Sequence, residues 1–315
     1  MPDIGTADNP IQVLYVPSVS AEEIIAGGEL LAATLNEATG LVFEVDVPTS
    51  YAATINEICA SPDNTIGFIP AQAYVIGSEL CGINVALKSL RFGYTEYWAE
   101  FIIPRDSDIT SLEDLAGKSW AYPDPTSTSG WLVPSGLMTT LGIEPGERVE
   151  AGGHSATVRA IYNGEADFGT VFFSPNIDGE GNVIWDGTAA DADVPDDAVA
   201  SCDLDADGEI ACGDVFPRDA RRNIREEAPD VIQGVKILAL SEPIPNDTMS
   251  FGPDFPEDLA TAITQAMGAW AVNDPDGFEL AFDAYSWDDV AATSDSEFDF
   301  IRSLVQALGI TVDDL

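Results

Sequence analysis

The sequence predicts an α/β protein, and three observations carry that prediction. Short apolar runs alternate with helical stretches along most of the chain. The runs are apolar throughout rather than at every second residue, as expected for strands of a mostly parallel sheet covered on both faces. With 315 residues and 45% hydrophobic content, the chain can also bury a sizeable core.

Ile11-Gln12-Val13-Leu14-Tyr15-Val16-Pro17 reads as the first strand, stopped by its proline. A helix follows over 21–38, with Ile24, Ile25, Leu30, Leu31 and Leu35 as apolar positions and Gly40 as its close. Residues 41–47 alternate as a second strand, and Ser50-Tyr51 opens another helix. Residues 66–69 read as a buried strand, 71–80 as a helix, and 84–92 and 98–103 as two further strands. Ser111 and Asp114 have the spacing of a capping box. A short strand at 118–122 and a helix ending near Leu141-Gly142 come next, then a helix over 155–163 and a strand over 166–173. The pattern closes with a strand at 235–240 and helices at 257–271 and 298–308, the last with Phe300, Ile301, Leu304, Val305 and Leu308 as its apolar stripe.

Between about 174 and 215 the pattern breaks into an acidic, Gly/Pro-rich stretch, read as a surface insertion. Its 202–214 segment has two readings. One is a hairpin whose three-residue loop, Ala206-Asp207-Gly208, places Asp205 opposite Glu209 and Cys202 opposite Cys212. The other is a calcium loop formed by Asp203, Asp205, Asp207 and Asp214, with Gly208 at the sixth place. The four cysteines form two local couples, Cys59–Cys81 and Cys202–Cys212, which suit an oxidising, extracytoplasmic setting. Other pairings and free thiols stay open.

Net charge is −43, from 12 basic against 55 acidic residues. This excludes nucleic acid and anionic membrane surfaces, which need a basic patch. No apolar run approaches the ~18–20 residues of a membrane span. Residues 1–10 are short, polar and acidic and read as a linker, with any anchor expected upstream of Met1.

Asp124-Pro125-Thr126-Ser127-Thr128-Ser129-Gly130 lies between a strand and a helix. Unpaired helix-start amides, the helix dipole and three hydroxyls can together cradle an oxyanion, although the same residues fit an ordinary polar cap. Tyr51, Tyr97, His154 and Asp247 stand at other strand ends or helix starts, where α/β sheets bind ligands. His154 is the only histidine and follows Gly152-Gly153, which lets backbone approach a ligand closely.

That seven-residue run with Trp131-Leu132-Val133-Pro134, then Gly152-Gly153-His154, residues 158–167, and Ile244-Pro245-Asn246-Asp247 resemble the phosphate/phosphite/phosphonate-binding family. These are extracytoplasmic solute receptors of ABC transporters. Ser50-Tyr51-Ala52 and Glu96-Tyr97-Trp98 match the family's two tyrosine motifs, and the resemblance covers residues 11–175 and 219–310. It implies a two-lobed type II periplasmic-binding-protein fold, each lobe a mostly parallel sheet flanked by helices, with a hinge between them. Lobe 1 would comprise 11–95 and 246–315, and lobe 2 would comprise 96–245 with the insertion at about 174–215.

The resemblance further implies a ligand set. Ser127, Thr128 and Ser129 donate hydroxyl and amide hydrogens, Tyr51 and Tyr97 phenolic hydrogens, and His154 an imidazole N–H. Asp247 accepts a proton carried by the ligand, which selects against sulfate. Phe172-Phe173-Ser174-Pro175 carries no acid where aminophosphonate binders of the family place one. Phe172, Phe173 and Trp98 therefore favour inorganic phosphate, phosphite or a small alkylphosphonate, with Glu96 or Glu100 as the acids that could serve an amine. Expected partners are a small oxyanion and the membrane subunits of an ABC importer, the chain acting as a monomer without cofactor. A sulfonate or aminoalkylphosphonate receptor is the alternative. A phosphoryl-processing enzyme built on Asp124 or His154 lacks a second histidine and a Gly-x-Ser-x-Gly elbow.

Overall fold

The computed structural model describes residues 3–310. The chain opens with β1 (Ile11–Tyr15), α1 (Ala21–Thr39), β2 (Phe43–Asp46), α2 (Tyr51–Ala60), β3 (Thr65–Ile69), α3 (Ala71–Cys81) and β4 (Asn84–Leu90). It continues through β5 (Glu96–Pro104), β6 (Trp120–Tyr122), α4 (Val133–Leu141), β7 (Arg148–Glu150), α5 (His154–Tyr162) and β8 (Phe168–Phe173). The insertion contributes α6 (Asp196–Val199), β9 (Cys202–Leu204) and β10 (Ile210–Cys212). The return comprises α7 (Val231–Gly234), β11 (Val235–Leu240), β12 (Ile244–Pro245), β13 (Thr248–Phe251), α8 (Glu257–Asn273), α9 (Pro275–Ala281), β14 (Asp289–Ala292) and α10 (Asp299–Ala307).

These elements form two compact units. Unit 1 takes residues up to 96, 126–128 and 245 onward, and unit 2 takes 97–125 and 129–244. The sheet of unit 1 runs β14-β4-β13-β3-β1-β2, and that of unit 2 runs β11-β5-β8-β6-β7. Both are mixed, each with a core of three parallel strands and antiparallel neighbours that the sequence did not reveal. β1 is parallel to β2 and β3, but β13 is antiparallel to β3 and β4, and β14 is antiparallel to β4. In unit 2, β6 is parallel to β7 and β8, whereas β5 is antiparallel to β8 and β11. Continuous apolar strands report burial on both faces, not direction, so mixed sheets produce the same pattern.

Local signals place most helix ends. Gly40 (φ +75°) and Gly142 (φ +69°) close α1 and α4 in the left-handed conformation, and Ser50 Oγ caps α2 by accepting from the Ala53 amide at 3.1 Å. Gly27 has a packing role: a Cβ there would lie 2.1 Å from the Ala281 carbonyl, so only glycine lets α1 meet the end of α9. The unit 1 core stacks Tyr15 on Phe68 (4.7 Å) and Phe282 on Trp287 (4.9 Å). Unit 2 stacks Trp120 against Trp131 at 4.9 Å.

Three further expectations change. In α10 only Ile301 and Val305 are fully buried, while Phe300 is 46% exposed, because the helix turns its 301/305 edge inward. Ile25 of α1 is likewise exposed. Residues 3–9 are not a free linker: Gly5 donates to the Asn9 carbonyl, Val42 donates to the Gly5 carbonyl, and Ile4 packs on the unit 1 core. Met1 and Pro2 lie outside the described residues. No helix among the described residues is long and apolar enough to cross a membrane.

The cysteines pair as Cys59–Cys81 and Cys202–Cys212. β9 and β10 form the hairpin, with Cys202 opposite Cys212 and Gly208 at φ +81°. Asp203, Asp205 and Asp214 turn their carboxylates to backbone amides of Leu204, of Asp207 and Glu209, and of Gly179. Among the described residues no three acidic, His or Cys side chains converge as a cation site, so the calcium reading of Asp203, Asp205, Asp207 and Asp214 gains no support.

Candidate functional site

The expected ligand groups divide between the units. Tyr51, Ser127, Thr128 and Asp247 belong to unit 1, and Tyr97, Ser129 and His154 belong to unit 2.

In unit 1 they gather at the edge where β1, β2 and β3 end. Tyr51, 1% exposed, begins α2 behind the Ser50 cap. The backbone after β6 brings Thr128 to the start of α3, where its Oγ1 accepts from the Gln72 amide at 2.8 Å. One hydroxyl oxygen thus satisfies an unpaired helix-start amide while its own hydrogen remains for another acceptor. Ser127 and Thr128 are 2% and 0% exposed, so these hydroxyls sit away from bulk water.

Asp247 lies one residue before β13, whose first residue, Thr248, pairs with Ile69 at the end of β3. Its carboxylate has a partner within unit 1. Oδ2 accepts from Arg91 Nη2 at 2.5 Å, and both side chains are largely buried. The Asp247 carbonyl accepts from the Ser89 amide, and Asn246 donates to the carbonyls of Ser89 and Tyr94, which fixes the 89–95 turn behind the pair. Tyr285 completes this corner: its hydroxyl donates to the Val16 carbonyl at 2.6 Å. Burial, and then the Asp247 charge, push the phenol well above its ordinary pKa, so it stays a donor.

In unit 2 the edge is differently made. Residues 128–132 form a π-helical turn before α4, which widens the backbone at the cradle. That turn is anchored from below: Trp120 Nε1 donates to Thr170 Oγ1 at 2.8 Å, and Thr170 Oγ1 donates to the Gly130 carbonyl at 2.5 Å. Ser129 is 2% exposed. His154 begins α5, after Gly152 at φ +89°, and its ring meets Phe172 edge-on at 5.1 Å. Tyr97 is buried near the start of β5, next to Trp98, which pairs in register with Phe173 at the end of β8.

Glu100 does not serve this edge. It is 0% exposed and neighbours Asp219, Arg221 and Asp193, and its two oxygens have no hydrogen-bond partner. Burial first, and the Asp219 charge second, raise its pKa well above the ordinary carboxylate value. Sequence reasoning missed Arg91 and Tyr285. Arg91 left one signal: it is one of only twelve basic residues, placed where a strand meets the Phe92-Gly93 turn. Tyr285 left none.

Each unit thus carries buried, neutral hydrogen-bonding side chains at one end of its sheet. A family model described as ABC transporter, phosphonate, periplasmic substrate-binding protein matches residues 13–298, and the chain belongs to this family. The family comprises transport receptors rather than enzymes. The chain is 28% identical over 177 residues to the phosphate-import protein PhnD of Mycolicibacterium smegmatis, covering 51% of this chain and 54% of that protein. It is 32% identical over 85 residues to the phosphonates-binding periplasmic protein of Escherichia coli, covering 25% of each. The chain thus matches about half or less of the length of these curated relatives.

Solved structures agree on the fold. The binding component of a phosphonate ABC transporter from Pseudomonas aeruginosa superposes with TM-score 0.68 at 17% identity, covering 94% of this chain and 85% of that one. PhnD1 from Prochlorococcus marinus, solved with methylphosphonate, superposes with TM-score 0.70 at 12% identity, covering 95% and 98%. The chain therefore has the two-lobed type II periplasmic-binding-protein fold.

Proposed function

We propose that this chain is the extracytoplasmic receptor of an ABC importer and captures a phosphorus oxyanion: inorganic phosphate, phosphite or a small alkylphosphonate. The observation that carries the reading is the Ser127-Thr128-Ser129 run, buried, π-turned and locked to the start of α3 through Thr128. In this proposal those three residues donate to phosphoryl oxygens, joined by the phenols of Tyr51 and Tyr97 and the imidazole of His154. Asp247, held by Arg91, accepts a P–OH hydrogen, which phosphate, phosphite and phosphonate monoanions carry and sulfate lacks. The receptor works as a monomer, delivers its ligand to the importer's membrane subunits and requires no cofactor.

Neutral donors suit a chain of net charge −43, because the ligand is gripped by local dipoles while distant carboxylates are screened within about 8–10 Å. The run Phe172-Phe173-Ser174-Pro175, which carries no acid, supports a small or absent organic substituent over an aminoalkyl one.

Calorimetric titration with phosphate, phosphite, methylphosphonate, 2-aminoethylphosphonate and sulfate tests the proposal. One of the first three is expected to bind tightest. Tightest binding of sulfate removes the role of Asp247, and no heat with any phosphorus oxyanion removes the reading altogether.

A further inference from the structure

The turn that begins at Arg91 adopts a conformation its sequence disfavours. Arg91 and Tyr94 exchange backbone hydrogen bonds at 3.0 and 2.9 Å, closing a two-residue hairpin turn over Phe92 and Gly93. Both turn residues have positive φ, +52° at Phe92 and +77° at Gly93, as a type I′ turn requires. Gly93 adopts this freely, but a bulky aromatic residue does so only when its surroundings impose it. Such outliers concentrate where a function depends on the geometry they hold.

Two neighbours impose it. On one side Asn246, next in sequence to Asp247, donates to the carbonyls of Ser89 and Tyr94. On the other stands Asp288, one residue before β14, whose Asp289 pairs with Leu90. The Asp288 amide donates to the Leu90 carbonyl at 3.1 Å, and its carboxylate faces the amides of Phe92 and Gly93, which favour the charged form. The charge is costly to keep there. Oδ1 is buried without a hydrogen-bond partner, and burial, with the charge of Glu279 on α9 adding to it, pushes the carboxyl pKa up to about 6. A neutral side chain would give a more stable fold at neutral pH, so stability does not account for the aspartate.

We infer that Asp288 is a positioning residue for oxyanion capture: its carboxylate clamps the Phe92-Gly93 turn and thereby holds the Arg91 guanidinium on Asp247. This rests on the phosphorus-oxyanion reading, in which Asp247 accepts a hydrogen from the ligand, and adds the regulation of that site by protons. A neutral carboxyl holds two amides less tightly than a carboxylate does. Once it is protonated, Phe92 is free to relax towards negative φ, and Arg91 at the base of the turn moves with it. The proton on Asp288 and the oxyanion are linked through one turn, so each opposes the binding of the other.

Asp288→Asn keeps the shape and removes the charge. Wild type and variant are titrated with phosphate and with methylphosphonate from about pH 5 to 8, where protonation of the ligand affects both proteins alike. At about pH 8 the variant should bind about fivefold or more weakly, and near pH 5, where Asp288 of the wild type carries a proton, the two should converge. Melting midpoints should move the other way. The folded pKa is raised, so the contribution of protonated Asp288 is complete below its unfolded pKa and is lost as pH rises through about 6. The asparagine variant escapes that loss and should melt above wild type at the upper end of the series. Phe92→Gly, which takes positive φ without steric cost, should restore affinity to Asp288→Asn. Should Asp288→Asn fail to fold, Phe92→Gly alone decides: it should match wild type at the upper end of the series and bind more tightly than wild type at the lower. Affinity and melting midpoint that fall together, a variant-to-wild-type ratio independent of pH, or no rescue by Phe92→Gly overturns the inference while leaving the oxyanion reading intact. Wild type that binds neither ligand fails the oxyanion reading itself, and the inference with it.

Discussion

In unit 1 the buried charges stand at the working edge: Arg91 and Asp247 pair beside the helix start that carries Thr128. In unit 2 they are withdrawn from it. Glu100, Asp219 and Arg221 are each 0% exposed and form a cluster on the β5 face beneath the insertion, with Asp193 and Arg105 at its margin. At the edge of unit 2 that bears Tyr97, Ser129 and His154, the Phe172 ring lies against His154 instead. The contrast separates two uses of burial. Unit 1 keeps an ion pair at the sheet edge near Tyr51 and Thr128, and unit 2 uses charges as structural fasteners for an added segment.

Removing one member of each pair should break the contrast most sharply. Arg221 donates to both oxygens of Asp219, to Asp193 and to the Val235 carbonyl. Arg221→Met strands a fully buried carboxylate and should cost about 3–5 kcal/mol in denaturant unfolding, with oxyanion affinity nearly unchanged. Arg91→Met strands Asp247, whose side chain is 15% exposed, so about 1–3 kcal/mol is expected, but oxyanion affinity should fall about tenfold or more. Equal effects of the two substitutions on affinity would erase the distinction.

A pH series sharpens it. Glu100 has a raised pKa in the folded state, so between the ordinary carboxylate value and that raised value the folded chain holds a proton that the unfolded chain has released. Its stabilising contribution is complete below the unfolded pKa and is lost as pH rises through the folded one. Glu100→Gln should remove up to about 1.4 kcal/mol of stability loss per pH unit in that window, measured as melting midpoints from pH 5 to 9. A wild-type curve parallel to that of the variant would show that Glu100 is already ionised. The smallest expected effect is at Thr128. Thr128→Val loses the acceptor for the Gln72 amide and should cost about 1 kcal/mol of stability, together with a measurable loss of oxyanion affinity.

Much of the fold was legible because its signals are local. Gly40, Gly142, Ser50 and the Ser111–Asp114 capping box mark element ends within a few residues of the features they stop. Strand direction was not legible. β13 reaches β3 and β4 from more than 150 residues away, and an apolar run looks the same in either direction. The site divides along the same line. Ser127, Thr128, Ser129 and His154 lie in short motifs and can be read from them. The Arg91–Asp247 pair spans 156 residues, so Asp247 was read from its motif without its partner. Glu100 was read as a reserve charge because a strand acid resembles any other acid until its surroundings are known.

The Cys59–Cys81 bond joins the last turns of α2 and α3, whose first turns carry Tyr51 and the Gln72 amide that holds Thr128. It crosslinks the two helices at the ends away from Tyr51 and Gln72. The spacing of their first turns is thus completed by a covalent event that a reducing cytosol opposes. An oxidising compartment supplies the chemistry that finishes this part of the fold.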